Sequence, residues 1–413
     1  MQTQHATSSL ERRFGPALDA AASIAAHSPS SHNSQPWAHL RLTSDASRRA
    51  AAHLLTLSND TGTDTSGSPG LRWDDDTVYL ALALDHGRTL TALPAHATEM
   101  RLSCGMYGQL LLRALATQGW RTVSIAVAGE AGTKAGADTG GWQAVPWPSG
   151  LEPLAVAALR HTAAAVGNDA APYDTGAFSE FVTNVRERRT NRGPYLDTTV
   201  DQKVLAGLAA PVGHLLAGTQ VSVRHLRAPM ERRRFATLVA AHAGRDFSHR
   251  TAWQETYSFI RRDDSEARAH GDGFTLEQLF GRTTRVRLRA THLALSPTVI
   301  HGLGRLRYDR FLARQLAALT SATPVITAVC LPDMPSDADL LRAGGWLAEY
   351  WLRATGKGLA LHPISVLLQH DDTRAELQRA LGLPGRTVFI SRLGYPAVTF
   401  PASPRRTVPV HPL

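Results

Sequence analysis

Apolar residues recur at helical spacing through the Ala-rich stretch from Glu11 to His27, predicting a helix. SPSSHNSQPW follows at 28–37, rich in proline and small polar residues, and reads as a turn. Ala38 to Leu42 alternates apolar and polar like a strand, and Thr77 to Leu84 is rich in strand-forming residues. Thr98 to Gln118 predicts a long helix carrying Gly105 and Gly108 and ended by Gly119, and Arg121 to Ala128 predicts a strand. Ser58 to Gly70 and Gly129 to Gly141 are polar, Gly-rich loops.

The same order then returns. Phe178 to Glu187 is helical, RRTNRGPY occupies 188–195, and Gln202 to Ala209 is helical. Ala210-Pro211 sits where Ser28-Pro29 sat before. Gln220 to His225 and Pro324 to Leu331 predict strands, Ser336 to Gly356 a long helix with Gly344-Gly345, and Thr387 to Gly394 a last strand. Residues 229–310 have no counterpart in the first copy and read as an insertion or lid. The expected fold is a duplicated α+β chain with antiparallel-rich mixed sheets flanked by helices. Its first half would span residues 1–165 and its second 176–413.

Composition narrows the function. The 413 residues carry a net charge of +9, yet only three of the 44 basic residues are lysines. The arginines are spread along the chain with no recognition helix or zinc finger, which argues against a nucleic-acid partner. Cys104 and Cys330 cannot make a disulfide framework, which fits a reducing, cytoplasmic home. The longest apolar stretch, Val204 to Gly218, is broken by Pro211 and His214 and is shorter than the about 20 residues of a membrane span. The N-terminus has no signal-like apolar region. His27, His32 and His39 lack the spacing of a helical metal pair, so no metal is expected. GxSxG, Walker A and GxGxxG elements are absent from the sequence.

SPSSHNSQPW resembles the signature loop of the nitroreductase superfamily of FMN enzymes, and RRTNR resembles its phosphate-binding segment. LGLPGRTVFISRLGYP followed by SPRR resembles its closing strand and C-terminal basic pair. Within the superfamily the chain is most similar to internally duplicated nitroreductases of actinobacteria. The resemblance implies FMN, with NAD(P)H as a transient electron donor and a small organic substrate. It also implies that Pro29, Ser30, Ser31 and Asn33 meet the flavin ring, as does the backbone of Pro363, Ile364 and Ser365. Familiar members carry an acidic residue and a glycine where this chain has Ser365 and Val366.

The residue chemistry agrees with that assignment. A nearly dianionic phosphate wants guanidinium forks and a hydroxyl. Arg188, Thr190 and Arg192 point to one side of an extended stretch, and Arg405 and Arg406 can close the pocket from another. His362 and Ser365 are the candidates for acting on a substrate, although a histidine there is more often structural. Trp37 reads as core packing.

In ordinary members each flavin lies across a dimer interface. Here the Ser-Ser-x-Asn turn occurs only in the first half and RRTNR only in the second. This predicts a single-chain pseudo-dimer holding one FMN. The function expected is FMN-dependent oxidoreduction, as a reductase or as a dehydrogenase or oxidase of specialised metabolism. A non-catalytic flavin-binding or flavin-storing protein with a lidded site is the alternative.

Overall fold

The computed structural model describes residues 9–59, 76–129, 142, 145–162, 175–210, 220–282, 284–304 and 307–413. Residues 211–219, most of Ser58 to Gly70 and nearly all of Gly129 to Gly141 lie outside them.

The chain opens with α1 (Ser9–Ala25), β1 (Trp37–Leu42), α2 (Asp45–Asn59), β2 (Thr77–Asp85), α3 (His96–Ala116), β3 (Trp120–Val127) and β4 (Leu151–His161). There follow α4 (Thr175–Glu187), α5 (Gln202–Ala209), β5 (Ser222–Leu226), α6 (Pro229–Ser248) and α7 (Arg250–Ser258). Next come β6 (Ile260–Arg261), α8 (Asp264–His270), β7 (Phe274–Thr275), α9 (Leu276–Phe280), α10 (Arg285–Leu295), α11 (Pro297–Gly304) and α12 (Tyr308–Ser321). The chain closes with β8 (Val325–Leu331), α13 (Asp337–Gly356), β9 (Ala360–Pro363), α14 (Asp371–Leu381), β10 (Arg386–Gly394) and β11 (Val410–Pro412).

Two main sheets share one topology. The first runs β1-β2-β4-β3 and the second β5-β8-β10-β9, all antiparallel between neighbours. In each, the fourth strand of the half lies between the second and third, and a long helix links the second to the third. Alternation along β2 sorts its side chains. Val78, Leu80, Leu82 and Leu84 face the central helices, while Tyr79, Ala81 and Ala83 face α2. Ile326, Ala328 and Cys330 of β8 likewise turn outward, onto Phe235 and Val239 of α6. β11 carries the C-terminus back to the first sheet, parallel to β1.

The insertion expected over 229–310 is therefore smaller than the sequence implied. α6 packs on the outer face of the second sheet in the place α2 holds on the first. The added part begins near α7 and has its own small core, including Trp253, Phe274 and Leu295. α2, β4 and β11 escaped the sequence reading. β4 (LEPLAVAALRH) is Ala-rich and nearly unbroken in its apolar run, so period alone does not separate strand from helix.

α3 and α13 cross at glycines. A Cβ on Gly344 would stand 2.3 Å from the Leu102 carbonyl oxygen, and one on Gly105 1.9 Å from that of Leu341. Beside the crossing, Gln109 Nε2 donates to Glu349 Oε1 at 2.9 Å and Arg113 donates to Glu349 Oε2. The obstacle at each glycine is backbone, so Gly344→Ala must push the helices apart. It should cost at least about 1–3 kcal/mol, read as a lower urea midpoint with unchanged m-value. An unchanged midpoint would show that the close approach is dispensable.

Candidate active site

The turn SPSSHNSQPW is built against backbone preference. His32, Asn33 and Gln35 all sit at φ 53°, a left-handed conformation uncommon for residues with a side chain. Its surroundings hold it there. Gln35 N donates to Ser30 Oγ at 3.0 Å, and Asn33 Nδ2 donates to the carbonyls of Gly273 and Pro404, both at 2.9 Å. Asn33 Oδ1 accepts from Arg405, and Gln35 Nε2 donates to the Gly271 carbonyl at 2.7 Å. Arg406 donates to the carbonyls of Gln35 and Trp37. Trp37 is wholly buried and stacks on Tyr107 with ring centroids 4.7 Å apart.

Beside this turn lies a cavity of about 280 Å³. Pro29, Ser30, Ser31 and His32 form one side, and Leu102, Ser103 and Met106 of α3 another. Thr190 and Arg192 come from the RRTNR segment, and Leu347 and Trp351 from α13. His362, Pro363 and Ser365 follow from β9 and the loop after it. The wall thus takes side chains from both ends of the chain, as the distribution of motifs implies.

A narrower cavity of about 20 Å³ adjoins it and shares Thr190 and Arg192. Arg188, Arg189 and Arg405 line it with His27. Arg188 is buried, donates to the His27 carbonyl at 3.3 Å and lies over the Trp351 ring at 5.0 Å. Its Nε and Nη1, and Nε of Arg405, are buried without a partner among the described residues. Burial, followed by the charges of Arg405, Arg189 and Arg192, pushes the Arg188 guanidinium well below its ordinary pKa. Burial and then Arg189 lower Arg405 to about 10. Clustered buried cations with unused donors fit a bound anion such as a phosphate.

Asn33, Ile364 and Arg406 were expected at the cofactor but stand behind the wall. Asn33 spends both polar ends on protein partners, and Arg406 clamps Gln35 and Trp37. Ile364 packs in the outer core of the second sheet, with its N–H given to the Ile390 carbonyl at 2.8 Å. Pattern reasoning could not separate these from true wall residues, because a tight turn and the loop it shapes share one motif.

Of the two candidates for substrate chemistry, His362 has a defined tautomer. Arg392 Nη1 donates to its Nδ1 at 3.0 Å, so the ring proton sits on Nε2. Burial first, then Arg392 and Arg192, depress its pKa far enough to keep it neutral. Ser365 Oγ accepts from Gln369 Nε2 at 3.1 Å. Sequence reasoning missed Glu99 of α3, which also faces the cavity. It accepts from Ser31 Oγ at 2.5 Å and from Gln369 Nε2 at 2.8 Å.

The chain thus forms a paired-sheet α+β body with a cavity shared between its halves. No family model matches the chain. It is 28% identical over 397 residues to the probable NAD(P)H nitroreductase PigM of Serratia sp. (strain ATCC 39006), covering 95% of this chain and 92% of that one. The resemblance to nitroreductases drawn from the motifs therefore holds along nearly the whole chain. Among solved structures, it is similar to the FMN-dependent nitroreductase NfnB from Mycobacterium smegmatis, in complex with NADPH. That likeness has 14% identity and a TM-score of 0.33, over 55% of this chain and 94% of that one. A nitroreductase with bound FMN from Desulfitobacterium hafniense gives 14% identity and a TM-score of 0.32, over 55% and 93%.

Three half-buried histidines set a pH dependence. Burial, and secondarily neighbouring positive groups, lower His32 from 6.5 to about 3 and His27 to about 4. Burial and then Arg227 lower His225 to about 4. These groups take up protons near pH 6.5 when unfolded but not when folded, so stability is complete above 6.5 and is lost as pH falls towards 4. Asp246, raised to about 7 by burial and then by Glu99, opposes this as a single group. Urea midpoints should fall on acidification from pH 7 to 4.5. A flat or rising profile would contradict the neutral assignment.

Proposed function

We propose that the chain is an FMN-dependent oxidoreductase of the nitroreductase type that acts on a small organic substrate and uses NAD(P)H as a transient donor. The observation that carries this is the arginine cluster at one end of an apolar cavity beside the strained turn. An FMN needs its phosphate neutralised and its ring held between apolar walls. Arg188, Arg192 and Arg405 would hold the phosphate with the Thr190 hydroxyl. Pro29, Ser30 and Ser31 would bound the ring on one side, and Pro363 and Ser365 on another. FMN, when bound, supplies two-electron chemistry. The chain's own part is to orient the substrate, exclude water with Leu102, Met106 and Trp351, and offer the His362 Nε2–H as a fixed donor.

We read the chain as a single-chain pseudo-dimer with one such site. Counting from the crossing glycines, Gly108 and Leu112 of α3 correspond to Leu347 and Trp351 of α13. Leu347 and Trp351 line the 280 Å³ cavity, whereas Gly108 and Leu112 line an apolar space of about 20 Å³. That volume is on the scale of one water.

The purified protein should be yellow and bind one FMN per chain. Arg188→Ala removes a charge-assisted contact worth about 1.5–3 kcal/mol and should weaken FMN about 10- to 100-fold in a fluorescence titration. Unchanged affinity would sink the phosphate assignment, and two flavins per chain would sink the single site.

A further inference from the structure

The cavity has opposite electrical ends. At one, Arg188, Arg189 and Arg405 crowd together. On the α3 wall stands the Glu99 carboxylate, and its partners are both neutral, the Ser31 hydroxyl and the Gln369 amide. The two imidazoles on the cavity wall do not neutralise it. His32 is lowered to about 3 and His362 is also held uncharged. Of the three arginines on the wall, Arg374 and Arg386 turn to Asp371, and Arg192 belongs to the arginine end and donates to the Gln278 carbonyl at 3.2 Å. Asp246 lies close enough to Glu99 that the two carboxyl groups repel, which helps to raise the Asp246 pKa after burial. Among the described residues Glu99 thus meets neutral donors alone, and such a carboxylate in a partly apolar cavity is complementary to a positive or N–H-bearing ligand.

We propose that Glu99 is the polar anchor for the substrate, and that the site prefers aromatic molecules bearing a cationic or N–H donor group. This rests on the FMN reading in one respect: the phosphate claims the arginine end and leaves the Glu99 wall to the substrate. Leu102 and Met106 lie on the same helix and supply apolar contact, so an aromatic body and a donor tip can be held together. A carboxylate-bearing substrate would meet like charge there.

Calorimetric titration of the protein as purified tests this with three ligands of one shape: benzamidine, benzamide and benzoate. Wild type should bind benzamidine at least about 10-fold more tightly than benzoate, with benzamide between them. Glu99→Gln should bring benzamidine and benzamide to about equal affinity, whereas Glu99→Asp should keep the order. Benzoate binding as tightly as benzamidine, wild type binding none of the three, or a Gln variant that keeps the preference would each overturn the proposal. If circular dichroism shows that the Gln variant does not fold, the wild-type order and the Asp variant decide. A colourless protein that cannot be loaded with FMN overturns the cofactor reading instead. On that protein the arginine end is open to benzoate, so the preference for benzamidine over benzamide, and its loss in Glu99→Gln, decides Glu99 there.

Discussion

The contact between α3 and α13 at Gly105 and Gly344 fixes everything that matters for the site. With no Cβ on either helix, the backbones meet closely enough for the Gly105 position to touch the Gly344 Cα. That spacing sets how far the first sheet stands from the second. It also sets whether Pro29 to His32, hung from the first half, reach Thr190 and Arg192 in the second. Larger side chains at the crossing would separate the walls of a cavity that neither half closes alone. Glu349, held by Gln109 and Arg113 across the same seam, resists sliding as well as separation.

Once the halves are seated, the most costly local feature is the arginine cluster. Burying a guanidinium without a counter-ion costs several kcal/mol, and here four arginines line one pocket with Arg188 donors unused among the described residues. The fold bears this cost through the packing of both sheets and the central helices. Such an arrangement is destabilising for the protein alone and favourable once an anion arrives, so ligand and stability are linked. The strained turn follows the same logic. Three left-handed residues are tolerated because Gly271, Gly273, Pro404, Arg405 and Arg406 over-determine their position.

Much of this was legible from residue order. The two long Gly-bearing helices, the strands at 37–42, 77–85 and 325–331, and the turn at 28–37 announce themselves through period and punctuation. Arg188, Thr190, Arg192, Pro29, Ser30 and Ser31 all reach the cavities. Glu99 stayed hidden because it sits in the first turn of α3, where an acidic residue is expected on helix-dipole grounds alone. Asn33 and Arg406 misled for the opposite reason. Their polar groups look free in sequence and are consumed by partners far along the chain. β4 was missed because an Ala-rich apolar run carries no period that distinguishes strand from helix.

The added segment after α6 has a firmer place than a flap. Glu255 accepts from the backbone N–H groups of Thr91 and Ala92 and pairs with His96 at 3.1 Å. His32 Nε2 lies 3.1 Å from Thr256 Oγ1, and Asp272 bridges Arg88 and Arg261. Gly273 must be glycine here, since a Cβ would stand 2.2 Å from the Phe259 carbonyl oxygen at φ +68°. The C-terminal tail locks onto the same place, with Arg406 against Gly271. Opening this segment as a rigid lid would break the contacts that hold the turn in its strained shape. Access to the cavity is therefore better sought in side-chain movement at Phe274 and Leu279, which line it from the added segment, than in displacement of the segment as a whole.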